Sequence, residues 1–406
     1  ELHGGKKKKE SVGGLMKSLK VLRSHFGQVH VNFGEPIKLV DYLDSHREGW
    51  RNEELSVHET PDWFKTTINN LGRDVVTGIN AAAVANPVNL ISLALLATPK
   101  HTMDLQQLRQ QLQLYINLLD QAPYSDTARL AENDPDVIIE YGLEHEFLIR
   151  VAHPLGDVVT TDPKTALQMA YVRNNSLHLF VLPGLICSLF LNARSIRMDM
   201  LQSMIALLYP FFRNEYLLHW REDGELPAAV ERIASVLEEH GLVSREDDCL
   251  HGAAIHTYAS DMLAHLGQTV MPSLERFYLT IRLLVQYGSG RLDADALSDL
   301  AHHTAQRLSL LYEFNSPEFF DKVVLRNFIN QLRDTDLVWQ DDDKALCFGD
   351  NLRALDDEAR RILSPDISQA IQRVTRVPEL ERALAETAEH DAQDDGNTAK
   401  GTEADK

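Results

Sequence analysis

The side chains that could do chemistry lie scattered along this chain of 406 residues, which has 17 His and 3 Cys. Cys249 and His251 stand two positions apart, but a structural zinc site takes four ligands and no second pair stands at a usable spacing. His302 and His303 are adjacent, and neighbours on a helix point about 100° apart, so the two cannot grip one ion. Gly288-Ser289-Gly290 reads as a turn that ends a helix rather than a phosphate cradle. A Gly-x-Ser-x-Gly elbow is absent. Cys187, Cys249 and Cys347 lie far apart with no C-x-x-C, and an odd, scattered set suits a reducing compartment. In Arg173-Asn174-Asn175, helical spacing sets the polar side chains beside Met169, Leu177 and Phe180. A buried guanidinium needs a partner, so the preferred reading is an ion pair that joins helices. The basic run Lys6 to Lys9 reads first as solvated surface and second as an attraction to anionic lipid head groups.

The elements that would carry these residues are mainly helical. The stripe Phe64, Ile68, Leu71, Val75 and Ile79 predicts one long amphipathic helix. Asn86 followed by Pro87 predicts the capped start of the next, and Thr98-Pro99 its end. Leu105, Leu108, Leu112, Tyr115 and Leu119 share a face of a third helix over residues 104–119. Apolar runs at 147–151 and 157–161 predict a hairpin. Pro163 starts a long helix that includes residues 171–178, and Ser195 caps another that Pro210 bends or breaks. Residues 226–240 and 319–334 are helices, each followed by a hairpin, and two long core helices span 262–287 and 293–312. The turns of those hairpins are acidic, and the chain has a formal net charge of -20, which argues against a nucleic-acid partner. The apolar stretches 81–97 and 179–191 are each interrupted by Pro and are too short to cross a bilayer, so they read as buried helices.

The first forty residues differ from the rest. Leu15, Leu19 and Leu22 recur at helical spacing with Lys17, Lys20 and Arg23 between them. Val29, Val31 and Phe33 then alternate with His30 and Asn32 as in a half-buried strand, which Gly34-Glu35-Pro36 stops. One helix and one strand cannot bury an apolar face, so partner strands are expected upstream, and the chain opens with Glu rather than Met.

Those residues also carry a likeness. The run from Lys9-Glu-Ser-Val-Gly-Gly14 through Gly27-Gln-Val-His-Val-Asn-Phe-Gly-Glu-Pro36 resembles the bacterial membrane-bound glycerol-3-phosphate acyltransferases just past their last acyltransferase block. Residues 79–90, the block Tyr171-Val-Arg-Asn-Asn-Ser-Leu-His178 and the block Ser316-Pro-Glu-Phe-Phe-Asp-Lys-Val323 follow in the same order, so the resemblance covers about residues 6–375.

The resemblance implies transfer of a fatty acyl group from acyl carrier protein or acyl-coenzyme A to the sn-1 hydroxyl of sn-glycerol 3-phosphate. This is the step that commits carbon to phospholipid and CDP-diacylglycerol synthesis at the cytoplasmic face of the bacterial inner membrane. It implies no metal and no cofactor. The family's His-x4-Asp, general base and orienter, would precede this chain, so the resemblance places no catalytic residue here and assigns no substrate-binding one. Two literal matches, His256 to Asp261 and His390 to Asp395, lack the family's downstream Gly-rich and basic blocks and read as chance. Under the same resemblance Arg173 gains a second reading, contact with the phosphate acceptor, and the Lys6–Lys9 run gains an acidic acyl carrier as partner.

The expected fold is mainly α. Residues 1–40 end an α/β acyltransferase domain, 41–60 form a linker, and 61–378 form a helical domain with two or three small hairpins. Residues 379–406 form an acidic tail, disordered from 389, too poor in large apolar side chains to offset its ordering entropy. Two rivals stay open: a dihydroxyacetone-phosphate acyltransferase, and a helical scaffold without catalysis.

Overall fold

The structure, a computed structural model, describes residues 30–52, 61–221, 224–311 and 320–375. The Lys6–Lys9 run, the helix expected around Leu15 to Leu22, the second His-x4-Asp match and the acidic tail all lie outside them. Residues 30–38 form an arm without regular structure. The strand expected over Val29 to Phe33 is therefore not seen in its described part, and Val31 and Phe33 are 74% and 85% exposed. Alternation makes a strand only where a partner edge supplies ladder hydrogen bonds.

Helix α1 (Leu39–His46) and a 3-10 turn (Trp50–Asn52) follow the arm. Helix α2 (Asp62–Ala81) forms as the stripe predicts, yet among its residues only Thr67 is buried. Beyond α2 the core begins. After the short strand β1 (Val84–Ala85), Asn86 caps α3 (Pro87–Leu96) through a reciprocal box with Asn89, and residues 88–95 are all buried. Strand β2 (Thr102–Asp104) leads into α4 (Leu105–Gln121), whose start Asp104 caps. Leu108, Leu112 and Tyr115 are fully buried on its inner face, as their spacing predicts. Then come β3 (Arg129–Leu130), α5 (Pro135–Glu144), β4 (Ile149–Val151), β5 (Val158–Thr160), α6 (Pro163–Asn174) and α7 (Val181–Leu189). Strands β4 and β5 are the expected hairpin, and β2 adds a third antiparallel strand to it. The helix begun by Pro163 stops at Asn174, and a 3-10 turn (Leu177–Leu179) separates it from α7, so residues 171–178 straddle a bend.

The second half repeats the pattern. Strand β6 (Ser195–Arg197) precedes α8 (Met198–Tyr216), so Ser195 pairs in a sheet and caps nothing. Pro210 sits inside α8, and the helix runs on for six residues beyond it. Next are α9 (Glu225–Glu239), β7 (Val243–Glu246), β8 (Cys249–Gly252), α10 (Tyr258–Gln268) and α11 (Met271–Tyr287). The single helix expected over 262–287 is thus two, divided at Thr269-Val270, with Pro272 in the first turn of the second. Pro tolerates that position because its missing N–H would have no helical acceptor there. The last described elements are α12 (Ala294–Leu311), α13 (Lys322–Asp334), β9 (Val338–Gln340), β10 (Leu346–Phe348), α14 (Asp350–Ile362) and α15 (Pro365–Val374). One apolar core runs from Ala85 to Val374. No helix among the described residues is long and apolar enough to cross a membrane. The fold is mainly α, with small sheets of two or three strands.

Candidate functional site

An open cleft of about 1000 Å³ forms where the arm, α2, the start of α3, the 174–178 bend and the end of α8 meet. Each wall is held by an amide that bonds a distant backbone carbonyl. Asn32 donates from Nδ2 to the Ala82 oxygen at 3.0 Å and to the Thr127 oxygen at 2.7 Å, which pins the arm to the body. Asn80 donates to the Tyr216 oxygen at 2.9 Å, where Leu217 ends α8 in the left-handed region with φ 50°. Asn89 bonds the Val172 oxygen at 2.9 Å and so ties α3 to α6.

Two ionisable groups sit in the floor. His178 is 5% exposed, and burial pushes its imidazole down to about 4, against the opposing pull of its hydrogen bond to the Asn80 carbonyl. That carbonyl, 3.0 Å from Nε2, can only accept, so the ring is neutral with its proton on Nε2. Glu215 presents its carboxylate from α8. Its Oε1 accepts from Ser273 Oγ at 2.7 Å and from Arg276 Nη2 at 2.5 Å. Tyr216 closes the network with a 2.8 Å bond from its hydroxyl to Ser273 Oγ, and burial raises the pKa of that hydroxyl. Arg276 is 2% exposed, so its pairing with Glu215 satisfies a charge that would otherwise be stranded in the core.

These groups set what the cleft can do. The described residues that line it include no Lys, Arg, Ser, Thr or Cys, and its charged side chains are Glu35 and Glu215. A phosphate would meet negative charge without a cation, and His178 has no nucleophile beside it to activate. The amides of Asn32, Asn80 and Asn89 are spent on carbonyls, while Asn86 accepts from the Asn89 N–H and Asn174 from Arg173. The cleft is a built junction of five chain segments with an apolar wall from Phe33, Ile37, Val75 and Ile79.

The residues singled out in the sequence are not brought together. His256, in a loop with φ 65°, and Asp261, in the first turn of α10, are both exposed and form no hydrogen bond with each other, so they make no base and orienter. His302 Nδ1 bonds the Phe320 oxygen, which fixes α12 against the start of α13. Cys249 and His251 lie on β8, and no group of three metal-ligating side chains is close enough to hold an ion among the described residues. Gly288 and Gly290, with φ 98° and 75°, end α11, and Ser289 Oγ between them accepts from the Phe348 N–H at 2.9 Å. Arg173 is half-buried in the last turn of α6 and donates to Asn174 Oδ1, at the cleft rim. Sequence reasoning missed Asn32, Asn80, Glu215 and Arg276, whose partners lie 50 to 136 residues away.

Comparison with known proteins adds what the geometry does not contain. The family described as "Glycerol-3-phosphate acyltransferase C-terminal region" matches residues 1–341. A Pseudomonas entomophila (strain L48) protein called glycerol-3-phosphate acyltransferase is 38% identical over 375 residues, which cover 92% of this chain and 45% of that protein. A Xanthomonas campestris pv. campestris protein of the same name is 40% identical over 379 residues, 92% of this chain and 43% of its own length. One from Pseudomonas aeruginosa (strain UCBPP-PA14) is 38% identical over 388 residues, 95% and 46%. The chain spans about half the length of the curated relatives it matches.

Proposed function

Because this chain belongs to the glycerol-3-phosphate acyltransferase C-terminal region family, we propose that it supplies the helical C-terminal body of such an enzyme. In the whole enzyme the sn-1 hydroxyl oxygen of glycerol 3-phosphate attacks the thioester carbonyl of acyl carrier protein or acyl-coenzyme A. The new ester bond forms as the carbon–sulfur bond breaks, the hydroxyl proton goes to a base, and the thiol leaves with lysophosphatidate as the other product. Neither His256 nor the cleft offers base, orienter and cation together, so the chemistry belongs to the part of the family's length that this chain does not span. Residues 1–40 are the junction with that part, and the helical domain from residue 61 is what it stands on. The reaction serves phospholipid synthesis, and the enzyme works at the cytoplasmic face of the inner membrane, where its product enters the lipid pool.

The observation that carries this reading is the match over residues 1–341 together with relatives of that name along more than nine-tenths of the chain. An acceptor competition on the longer polypeptide tests it, with labelled glycerol 3-phosphate and dihydroxyacetone phosphate offered together and the lipid products separated. The expected product is 1-acyl-sn-glycerol 3-phosphate. Preference for dihydroxyacetone phosphate, or no acyl transfer at all, would overturn it.

A further inference from the structure

Helix α2 has a well-formed apolar stripe with little to cover it. Phe64, Ile68, Val75 and Ile79 are 40%, 48%, 43% and 64% exposed, although their spacing is that of a buried face. The arm extends the same surface. Gly34 lies so close to α2 that a Cβ there would stand 3.0 Å from the Gly78 oxygen, and Phe33 and Ile37 line one wall with Val75 and Ile79. A contiguous apolar surface built from two chain segments marks an interface.

Three observations say what occupies it. The chain spans 43–46% of its relatives, so more than half of each relative's polypeptide must be seated somewhere. The arm is where the polypeptide ahead of α1 reaches the body, and Asn32 pins it beside the stripe, so that polypeptide arrives on this face. The charges along α2 are Asp62, Lys65, Arg73 and Asp74, which cancel, and the chain as a whole carries -20. An amphipathic helix that lies on an anionic bilayer needs a net cationic flank, and the two cations of α2 are matched by two carboxylates.

We propose that the exposed stripe of α2, with residues 31–37, is the seat on which the remaining part of a glycerol-3-phosphate acyltransferase polypeptide packs. The proposal rests on the functional reading above and adds the surface that joins the two halves. Polar groups tied up in the cleft floor hold the seat in shape, and the apolar wall supplies the contact.

Carbene footprinting with a photolysed diazirine tests it. The 406-residue chain and the longer polypeptide are labelled side by side, each with and without vesicles of phosphatidylethanolamine and phosphatidylglycerol, and modification is read by mass spectrometry. Phe64, Ile68 and Ile79 should label heavily in the short chain and several-fold less in the long one without lipid. Leu155, 91% exposed on the β4–β5 turn, should label equally in both. Equal labelling of the stripe in the two proteins would overturn the proposal. So would protection that appears only with vesicles, which would make lipid the occupant, or protection of the short chain that grows with its concentration, which would make it a second copy. An Ile68→Asp variant should leave the melting temperature of the short chain unchanged and restore stripe labelling in the long one. An unlabelled stripe in an inactive long polypeptide would sink the reaction and keep the seat. A labelled stripe in an active one would sink the seat alone.

Discussion

Helices α7 and α10 cross with a glycine on each side of the contact, and Gly267→Ala tests how tightly that crossing is set. A Cβ at Gly267 would stand 3.0 Å from the Ser188 nitrogen, 3.1 Å from its Cα and 3.2 Å from the Cys187 carbonyl carbon. All three are backbone atoms of a buried helix, so no side chain can swing aside. At the same crossing a Cβ on Gly184 would lie 2.6 Å from Thr269 Oγ1 and 3.0 Å from the Leu266 oxygen. To admit the methyl, α10 must lift off α7 by a few tenths of an ångström. Gaps of that order loosen the dispersion contacts of the flanking Leu185, Leu263 and Leu266, which are 5% exposed or less. Overpacking of this kind costs about 1–3 kcal/mol, and alanine's helix propensity returns up to ~1 kcal/mol. The expected net loss is ~1–2 kcal/mol, seen as a lower urea midpoint at unchanged slope. Gly72→Ala is the control, because nothing stands within 4 Å of a Cβ there and only the propensity gain applies. A Gly267→Ala chain as stable as the parent would refute the close-crossing argument.

Two buried ionisable groups give stability slopes of opposite sign. Burial raises the Glu275 carboxyl from 4.5 to about 8, with Arg276 pulling the other way. The folded chain then holds that proton more tightly than the unfolded one, so stability falls as pH rises from 4.5 and the loss is complete above about 8. Glu275→Gln should flatten that limb in denaturant titrations, and an unchanged limb would contradict it. His178 has the reverse effect. Its folded form refuses a proton down to about 4 while the unfolded form accepts one at 6.5, so stability is lost as pH falls across that window. His178→Gln should remove this acid slope, whatever it does to the overall level, and an acid limb of the same steepness would refute the assignment.

Much of the helical framework is legible from local pattern. Asn86 and Pro87 announce α3, and the structure completes the cap with Asn89 at the third helical position. The 262–287 division was missed although its signal was present, since Pro272 belongs in a first turn and not in mid-helix. The partners were not legible. The α2 stripe reports amphipathicity and says nothing of what covers it, and in the fold only Thr67 of that helix is buried. Strands β2 and β6 are three residues each and pair with segments more than 50 residues away, where tertiary context decides the pairing. The cleft was invisible for the same reason. Glu215 and Arg276 stand 61 residues apart, and only the packing of α8 on α11 brings the carboxylate to the guanidinium. The family blocks pointed to the glycerol-3-phosphate acyltransferases, and the family match over residues 1–341 agrees, while the local chemistry of residues such as His256 pointed nowhere.

The most direct measurement is acyl transfer by this 406-residue chain alone, assayed with labelled glycerol 3-phosphate and an acyl thioester under conditions where the longer polypeptide turns over. No lysophosphatidate is expected from the short chain, because the described residues that line its cleft include no Lys or Arg, His178 is buried and neutral, and Glu215 is paired with Arg276. Sustained formation of lysophosphatidate by the short chain would place the catalytic groups within these residues and contradict that expectation.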